Sequence, residues 1–513
     1  MAVDRRDVVV VGGGHNALVA ATVLARAGLS VAVFERGARF GGAAVSTRPF
    51  GGIDASISPY AYLVSLFPST LLRQLGLDVE LRTRRIASCT PDGDRALVID
   101  NQDSRATSRS FGDMDLGADH EQWVQWQRLV RTMGEVTAPT LTQPLRPAGY
   151  FRRSLGHEAW QLLTGRPLGL SLEEAFESEL VRGTVLTDAL IGTFAHSSEP
   201  SLRQNRCWLY HVIGEGTGQW RVPVGGMGRL TEALVQAATR AGAELRAGSE
   251  VVAVEADGRR AELSTADGER HGAAVVLCGA APAVLERLLG SSTPTAAAEG
   301  AQVKLNMLLR RLPGLRCGVA PDRAFTGTLH VNERAGQLDG AWEQAESGRF
   351  PVPVPCEVYC HSLTDPSVLG PELRHGGAHS LSLFALQTPA RLFAGDGVDD
   401  DAALSACVAS FESVLAEPLG DCLLTAEDGR PCLEVHTPRR LEDELSLPGG
   451  NIFHRELQWP WAETDEEVGT WGVGTQIPNV LLCGSGSRRG GAVSGIAGHN
   501  AAMAALALRH ARR

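Results

Sequence analysis

Residues 7–35 read DVVVVGGGHNALVAATVLARAGLSVAVFE, and the order of parts in this stretch decides the fold. Asp7–Val11 is a continuous β-branched run, the pattern of a strand covered on both faces in a parallel sheet. Three glycines follow at once, then small apolar residues from Leu18 to Ala27, a stop at Gly28, and a second buried strand over Ser30–Phe34. Glu35 ends that strand, 23 residues after Gly12. Strand, glycine turn, helix, strand and acid are the parts of a dinucleotide-binding βαβ unit. Gly12 permits the tight turn, Gly14 lets backbone approach a pyrophosphate, and Ala17 is the small residue where helix meets strand. The helix N-terminus around Asn16 offers free N–H groups and a partial positive charge to that anion. Glu35, with Arg36 beside it, is placed to receive ribose hydroxyls. A carboxylate there disfavours a 2′-phosphate, so NADP is not expected.

Moving outward, Arg39–Ala44 supplies a second glycine pair, with Gly42 and Ala43 leaving room for backbone near a phosphate. That extension after the acid is a pattern of flavin-binding proteins. Val222–Ala241 reads as a Gly225-Gly226 turn and a helix, followed by strands at Ala243–Arg246, Glu250–Val254, Ala261–Thr265 and Ala273–Cys278. At the far end, Asn479–Cys483 is a strand leading into Gly484, Ser485 and Gly486. A small-residue helix then opens at Gly490 and ends near His510. The 58 glycines are unevenly spread: residues 1–52 and 472–498 hold 17 of them, so backbone is expected to touch ligand at both ends of the chain.

Composition narrows the partners. The 513 residues carry 48 Lys and Arg against 59 Asp and Glu, a net charge of −11, with no basic block beyond the Arg509–Arg513 tail. Nucleic acid is therefore not expected. No apolar run of about 18 residues occurs, and no secretory leader is read at Met1–Asp7, so a cytoplasmic protein is expected. None of the ten cysteines forms a C-x-x-C pair or a zinc-like set, which excludes disulphide reductase chemistry, and no structural metal is expected. No G-x-S-x-G nucleophile motif is present.

The segment Val11–Ser46 resembles the flavin-binding start of the phytoene-dehydrogenase-like oxidoreductases, the group of carotenoid desaturases, carotenoid isomerases and retinol saturases. The resemblance is closest to the branch typified by pyridine-nucleotide-disulphide oxidoreductase domain-containing protein 2. It rests on GGGHNALVAA and GGAAVS, YAYLVSLFP (60–68), VPVGGMGRLTEAL (222–234), GGNIFHRE (449–456) and NVLLCGSGSRRGGAVSGIAGHNAA (479–502), in family order along nearly the whole chain. It implies an α/β architecture: a glutathione-reductase-like, Rossmann-type FAD-binding domain built from discontinuous segments, with an inserted α+β substrate domain. The expected FAD segments are 1–80, 215–290 and 445–513, and the substrate and cap segments are 81–214 and 291–444. It also implies non-covalent FAD, with Val251 at the adenine and Gly484, Ser485, Gly491, Ala492 and Val493 at the flavin.

The implied activity is removal of a hydride from a largely apolar or amphipathic small molecule to form a double bond. Redox-neutral isomerisation and a non-catalytic, FAD-stabilised scaffold are the alternatives. Amine oxidation ranks behind them, because no aromatic cage is evident. His454 is the candidate base, since imidazole titrates near neutrality, and Tyr60 is the candidate lining of the substrate face. Trp459 and Trp461 are candidate pocket walls, while Trp123 and Trp126, three apart on a helix, read as core. Three departures from the family pattern cluster near this expected site. Arg455 follows NIFH, Arg489 replaces a proline, and residues 459–471 are acidic. With Arg488, these arginines make a polar or anionic substrate an alternative. A carotenoid-like substrate would call for peripheral membrane contact, expected through the apolar Tyr62–Pro68 segment. The oligomeric state is left open.

Overall fold

The computed structural model describes residues 4–511, apart from 65, 215, 217, 296, 297 and 396. Two seven-stranded sheets organise them. In the first sheet the strands run in the order Glu244–Ala247, Val31–Glu35, Asp4–Val11, Arg270–Cys278, Ala261–Thr265, Val251–Ala256. The first four are parallel, and the last two fold back as an antiparallel ribbon. Val480–Leu482 pairs in parallel with the other half of Arg270–Cys278. Thus the first, middle and last parts of the chain meet in one sheet. Val8–Val11 lies at its centre and is almost wholly buried, as a run of valines demands.

Two helices cross on one face of this sheet. The first, His15–Arg26, grows out of the glycine turn, and the last, Ile496–Ala511, packs against it. The last helix starts six residues later than the glycine pattern suggested. Arg489, Ala492 and Gly495 all have positive φ, and such residues do not continue a right-handed helix.

The second sheet is mostly antiparallel and runs Leu433–His436, Val303–Leu309, His379–Ala385, Cys356–Cys360, Thr328–Val331, Ile86–Asp92, Arg95–Asp100. The helices Gly117–Thr137, Ala148–Thr164, Glu179–Leu186 and Arg203–Ile213 share a separate core centred on Trp126, Phe151 and Trp208. Trp126 belongs to that core, as its helical spacing with Trp123 suggested.

The apolar side chains of the Tyr62–Pro68 segment, expected to meet a membrane, pack inward instead. Leu63, Val64, Leu66 and Phe67 are all buried in the two cores they join, and Ser65 lies outside the described residues. Among the described residues no helix is long and apolar enough to cross a membrane. Arg512 and Arg513 of the basic tail also lie outside the described residues. All ten cysteines are buried and free.

Candidate active site

A cavity of about 600 Å³ runs between the two sheets, starting at the glycine turn. Gly12 sits at φ +86° and Gly42 at +57°, backbone that other residues rarely adopt. A Cβ on Gly14 would meet no protein atom within 4 Å, so it would project into the cavity itself. Gly14 also begins the first helix without any side-chain cap, leaving that helix's first N–H groups open to a ligand. The second glycine pair closes over the first: Gly41 N donates to Gly13 O at 2.9 Å, and a Cβ on Gly42 would come within 3.3 Å of Gly14 Cα.

Glu35 receives Gly13 N and Gly37 N, one on each oxygen, both at 2.7 Å. A carboxylate has about four acceptor positions, so Glu35 braces the turn and still lines the cavity. Gly12, Gly14, Asn16, Ala17, Arg36, Gly42, Ala43, Val251, Gly484, Ser485, Ala492 and Val493 line the same cavity. Gly491 does not. It is buried behind the wall, where a Cβ would meet Leu457 at 2.7 Å and Phe453 at 3.1 Å. Arg36 also donates to Glu444 O at 2.9 Å. Near the turn, His15 Nε2, Asn16 Oδ1 and His454 Nδ1 are buried polar atoms with no protein partner. Orphaned buried groups of this kind call for a polar ligand.

His454 lines the cavity in a left-handed conformation, φ +64°. It is not the near-neutral base that its residue type suggests. Burial, reinforced by the nearby His15, holds its imidazole down at about 4. Burial likewise holds His15 at about 4. Both rings are neutral at physiological pH and serve as hydrogen-bonding groups. Tyr60 lines the cavity too, but its hydroxyl is committed to Glu444 Oε2. Burial, then Glu444, raises its pKa above the ordinary phenol value.

The end of the cavity away from the glycine turn is walled by Tyr62, Ile191, Trp220, Phe384, Ile452 and Phe453. His211 stacks on Trp220 with centroids 5.3 Å apart, and its Nδ1 donates to Cys207 O at 2.8 Å. Lys304 enters this chamber from the strand Val303–Leu309. Its Nζ donates to Ser58 O at 2.6 Å and Tyr60 O at 2.8 Å, and lies 4.6 Å from the centre of the Tyr62 ring. Burial lowers its pKa to about 7, against the pull of Glu434. Lys304 is not among the site residues expected from sequence, although one signal points to it. It is the sole lysine in 513 residues, where every other permanent side-chain cation is arginine. Arginine cannot be deprotonated in a protein, and lysine can.

The arginines that suggested an anionic substrate do not face this chamber. Arg488 is almost fully buried and binds Trp459 O, Trp461 O, Glu463 and Glu467. The acidic stretch that departs from the family pattern is thus the counter-charge of Arg488. Arg489 donates to Thr140 O, Gln143 O and Trp471 O and ties three loops together. Arg455 lines a separate cavity of about 260 Å³. Trp459 and Trp461 are not pocket walls: they stack on each other at 4.8 Å within the helical core. Replacing Arg488 with methionine strips the donor from two buried carbonyls. We expect a loss of about 2–4 kcal/mol, read as a fall in Tm, with flavin content and substrate range unchanged. An altered substrate range would return Arg488 to the binding site.

Residues 18–303 match the family described as flavin containing amine oxidoreductase. An uncharacterized protein of Mycobacterium tuberculosis is 48% identical, over 99% of this chain and 98% of its own length. Pyridine nucleotide-disulfide oxidoreductase domain-containing protein 2 of Rattus norvegicus is 31% identical, over 97% of this chain and 92% of its own length. Among solved structures, cyclohexylamine oxidase from Brevibacterium oxydans superposes over the full length of both chains with a TM-score of 0.59 at 15% identity, a likeness of fold. The cofactor is FAD, and the open Gly14 cradle, the uncapped helix and the Glu35 carboxylate suit its pyrophosphate and ribose. By this family match and these full-length relatives, the chain belongs to the flavin-containing amine oxidoreductase family.

Proposed function

We propose that this FAD-dependent oxidoreductase is a phytoene-dehydrogenase-like desaturase that forms a double bond in a largely apolar or amphipathic small molecule. The supporting observation is that one cavity joins the glycine cradle to a chamber of aromatic and aliphatic walls, with the chain's sole lysine in it. On this reading segments 1–80, 215–290 and 445–513 form the glutathione-reductase-like FAD domain, and 81–214 with 291–444 form the substrate domain.

Bound FAD supplies the acceptor for a hydride from a substrate C–H bond. The chain's residues do the rest. Tyr62, Trp220, Phe384 and Phe453 bind the substrate and exclude water. Ser58 O and Tyr60 O take two N–H bonds from Lys304 and fix its position. The remaining position on Nζ, proton or lone pair, is available to substrate. As the free amine, Lys304 accepts the proton lost from the neighbouring carbon, which balances a two-hydrogen removal. His454 and His15, held neutral, orient polar groups at the flavin end.

The test is anaerobic mixing of the purified, FAD-loaded protein with apolar and amphipathic alkanes and polyenes bearing saturated carbon pairs. Bleaching of the flavin with a product two hydrogens lighter supports the reading. A product of unchanged mass selects isomerisation instead. The aromatic walls also suit amines, the substrates named for the cyclohexylamine and putrescine oxidases of similar fold. Reduction by amines alone, with imine formed, would replace desaturation by that second reading.

A further inference from the structure

Behind the chamber wall lies a cluster of ionisable side chains that the proposed chemistry does not use. His330 and Glu357 face each other as a cross-strand pair between Thr328–Val331 and Cys356–Cys360. Glu333 sits in the turn just after the first of these strands, and its carboxylate meets His330 Nδ1. One nitrogen or oxygen from each of the three lies within 4.8 Å of the others, and all three residues are buried. Glu357 receives the Thr187 hydroxyl at 2.9 Å and the Tyr359 hydroxyl. Glu333 is 2% exposed, yet its Oε1 has no hydrogen-bond partner.

Asp188, next to Thr187, acts electrostatically on Glu333, Glu357 and His330. Three carboxylates therefore share one desolvated space. Arg84, 5.2 Å above the Tyr359 ring, is the permanent cation that acts on this group. Buried acids are normally hydrogen-bonded, paired or coordinated to a metal.

We propose that His330, Glu333 and Glu357 bind a divalent metal ion of the borderline class, such as Zn²⁺ or Mn²⁺. One imidazole and two carboxylates are ordinary ligands for these ions at about 2.0–2.2 Å. Rotations of three flexible side chains bring the donor atoms to that spacing, and Glu333 Oε1 gains a partner. No ligand position opens to the chamber, so the ion is structural. It clamps two neighbouring strands and the Ala335–Glu346 helix start behind Tyr359, whose ring packs 5.0 Å from Tyr62 in the chamber wall. Cysteine spacing gave no hint of this site, because the ligands come from two strands and the turn after one of them and contain no thiol.

The test uses the full-length, FAD-loaded protein, purified without a metal-affinity tag. Elemental analysis after desalting is expected to find one divalent ion per chain. Glu333→Gln and Glu357→Gln are expected to lose it with the flavin spectrum unchanged. Should either variant fail to fold, wild-type protein stripped by a chelator and titrated with Zn²⁺ or Mn²⁺ gives the second reading. A rise in Tm of about 3 °C or more on reloading is expected by mass action. Metal-free protein whose Tm ignores both ions overturns the proposal, and so does a metal that the two glutamine variants retain.

Discussion

Replacing Lys304 with methionine will cut turnover about 10²–10⁴-fold, the usual worth of a positioned acid–base group, while FAD stays bound. Lys304→Arg will fail to restore it, because a guanidinium stays protonated throughout the working pH range. The pH profile makes this specific to proton transfer. Burial brings the Lys304 ammonium to about 7, and only the free amine accepts a proton. The logarithm of kcat/KM should therefore rise with pH up to about 7 and level off above it. In Lys304→Met that rising limb should vanish. Stability follows the same titration with a defined sign. The folded protein releases this proton near 7, whereas the unfolded chain holds it to about 10.4. Between these values the unfolded state binds more protons, so the cost of burying this ammonium falls as pH rises. Below 7 that cost is present in full. A Lys304→Met enzyme within threefold of wild type, with the limb intact, would remove lysine from the mechanism.

The glycine-cradle half of the site was legible because its logic is local. Strand, turn, helix and acid fall within residues 7–35, and each step restricts the next through backbone geometry alone. The chamber half is assembled from residues as far apart as Tyr62, His211, Lys304 and Phe384, and no local pattern reports which side chains converge. The arginines show the same limit from the other side. Arg455, Arg488 and Arg489 stand beside the flavin motif in sequence, yet none of them lines the chamber. Arg488 and Arg489 spend their donors on carbonyls and on acids 21 to 25 residues upstream. His454 was the right neighbour with the wrong chemistry: residue type gives the ordinary pKa, and only burial beside His15 reveals the lowered one. Lys304 was legible after all, through rarity. In a chain that writes its other 47 Lys/Arg positions as arginine, one retained lysine marks a place where deprotonation matters.

The small residues of the last helix invite a test that touches no ligand. Gly498→Ala adds a single methyl group where the last helix crosses the first. That carbon would lie 1.8 Å from the carbonyl oxygen of Asn16, and real Cβ contacts essentially never fall below 3.0 Å. Both sides of the clash are helical backbone, so no side chain can rotate away. The helices must part by more than an ångström, and overpacking of this kind costs about 3 kcal/mol or more. The first helix cannot yield without moving its own N-terminus, where His15, Asn16 and Ala17 line the cavity. Open N–H groups serve a pyrophosphate only at hydrogen-bonding distance. An ångström of misplacement is enough to lose about 100-fold in a positioned interaction. FAD affinity should fall by that order, measured by flavin fluorescence on titration, together with a lower Tm. Gly340→Ala is the control, since its added carbon meets no atom within 4 Å in the middle of a helix. It should leave FAD affinity unchanged and raise Tm slightly, because alanine is the better helix former. If Gly498→Ala kept full affinity and Tm, the close crossing of the two helices would not be what holds the flavin cradle in place.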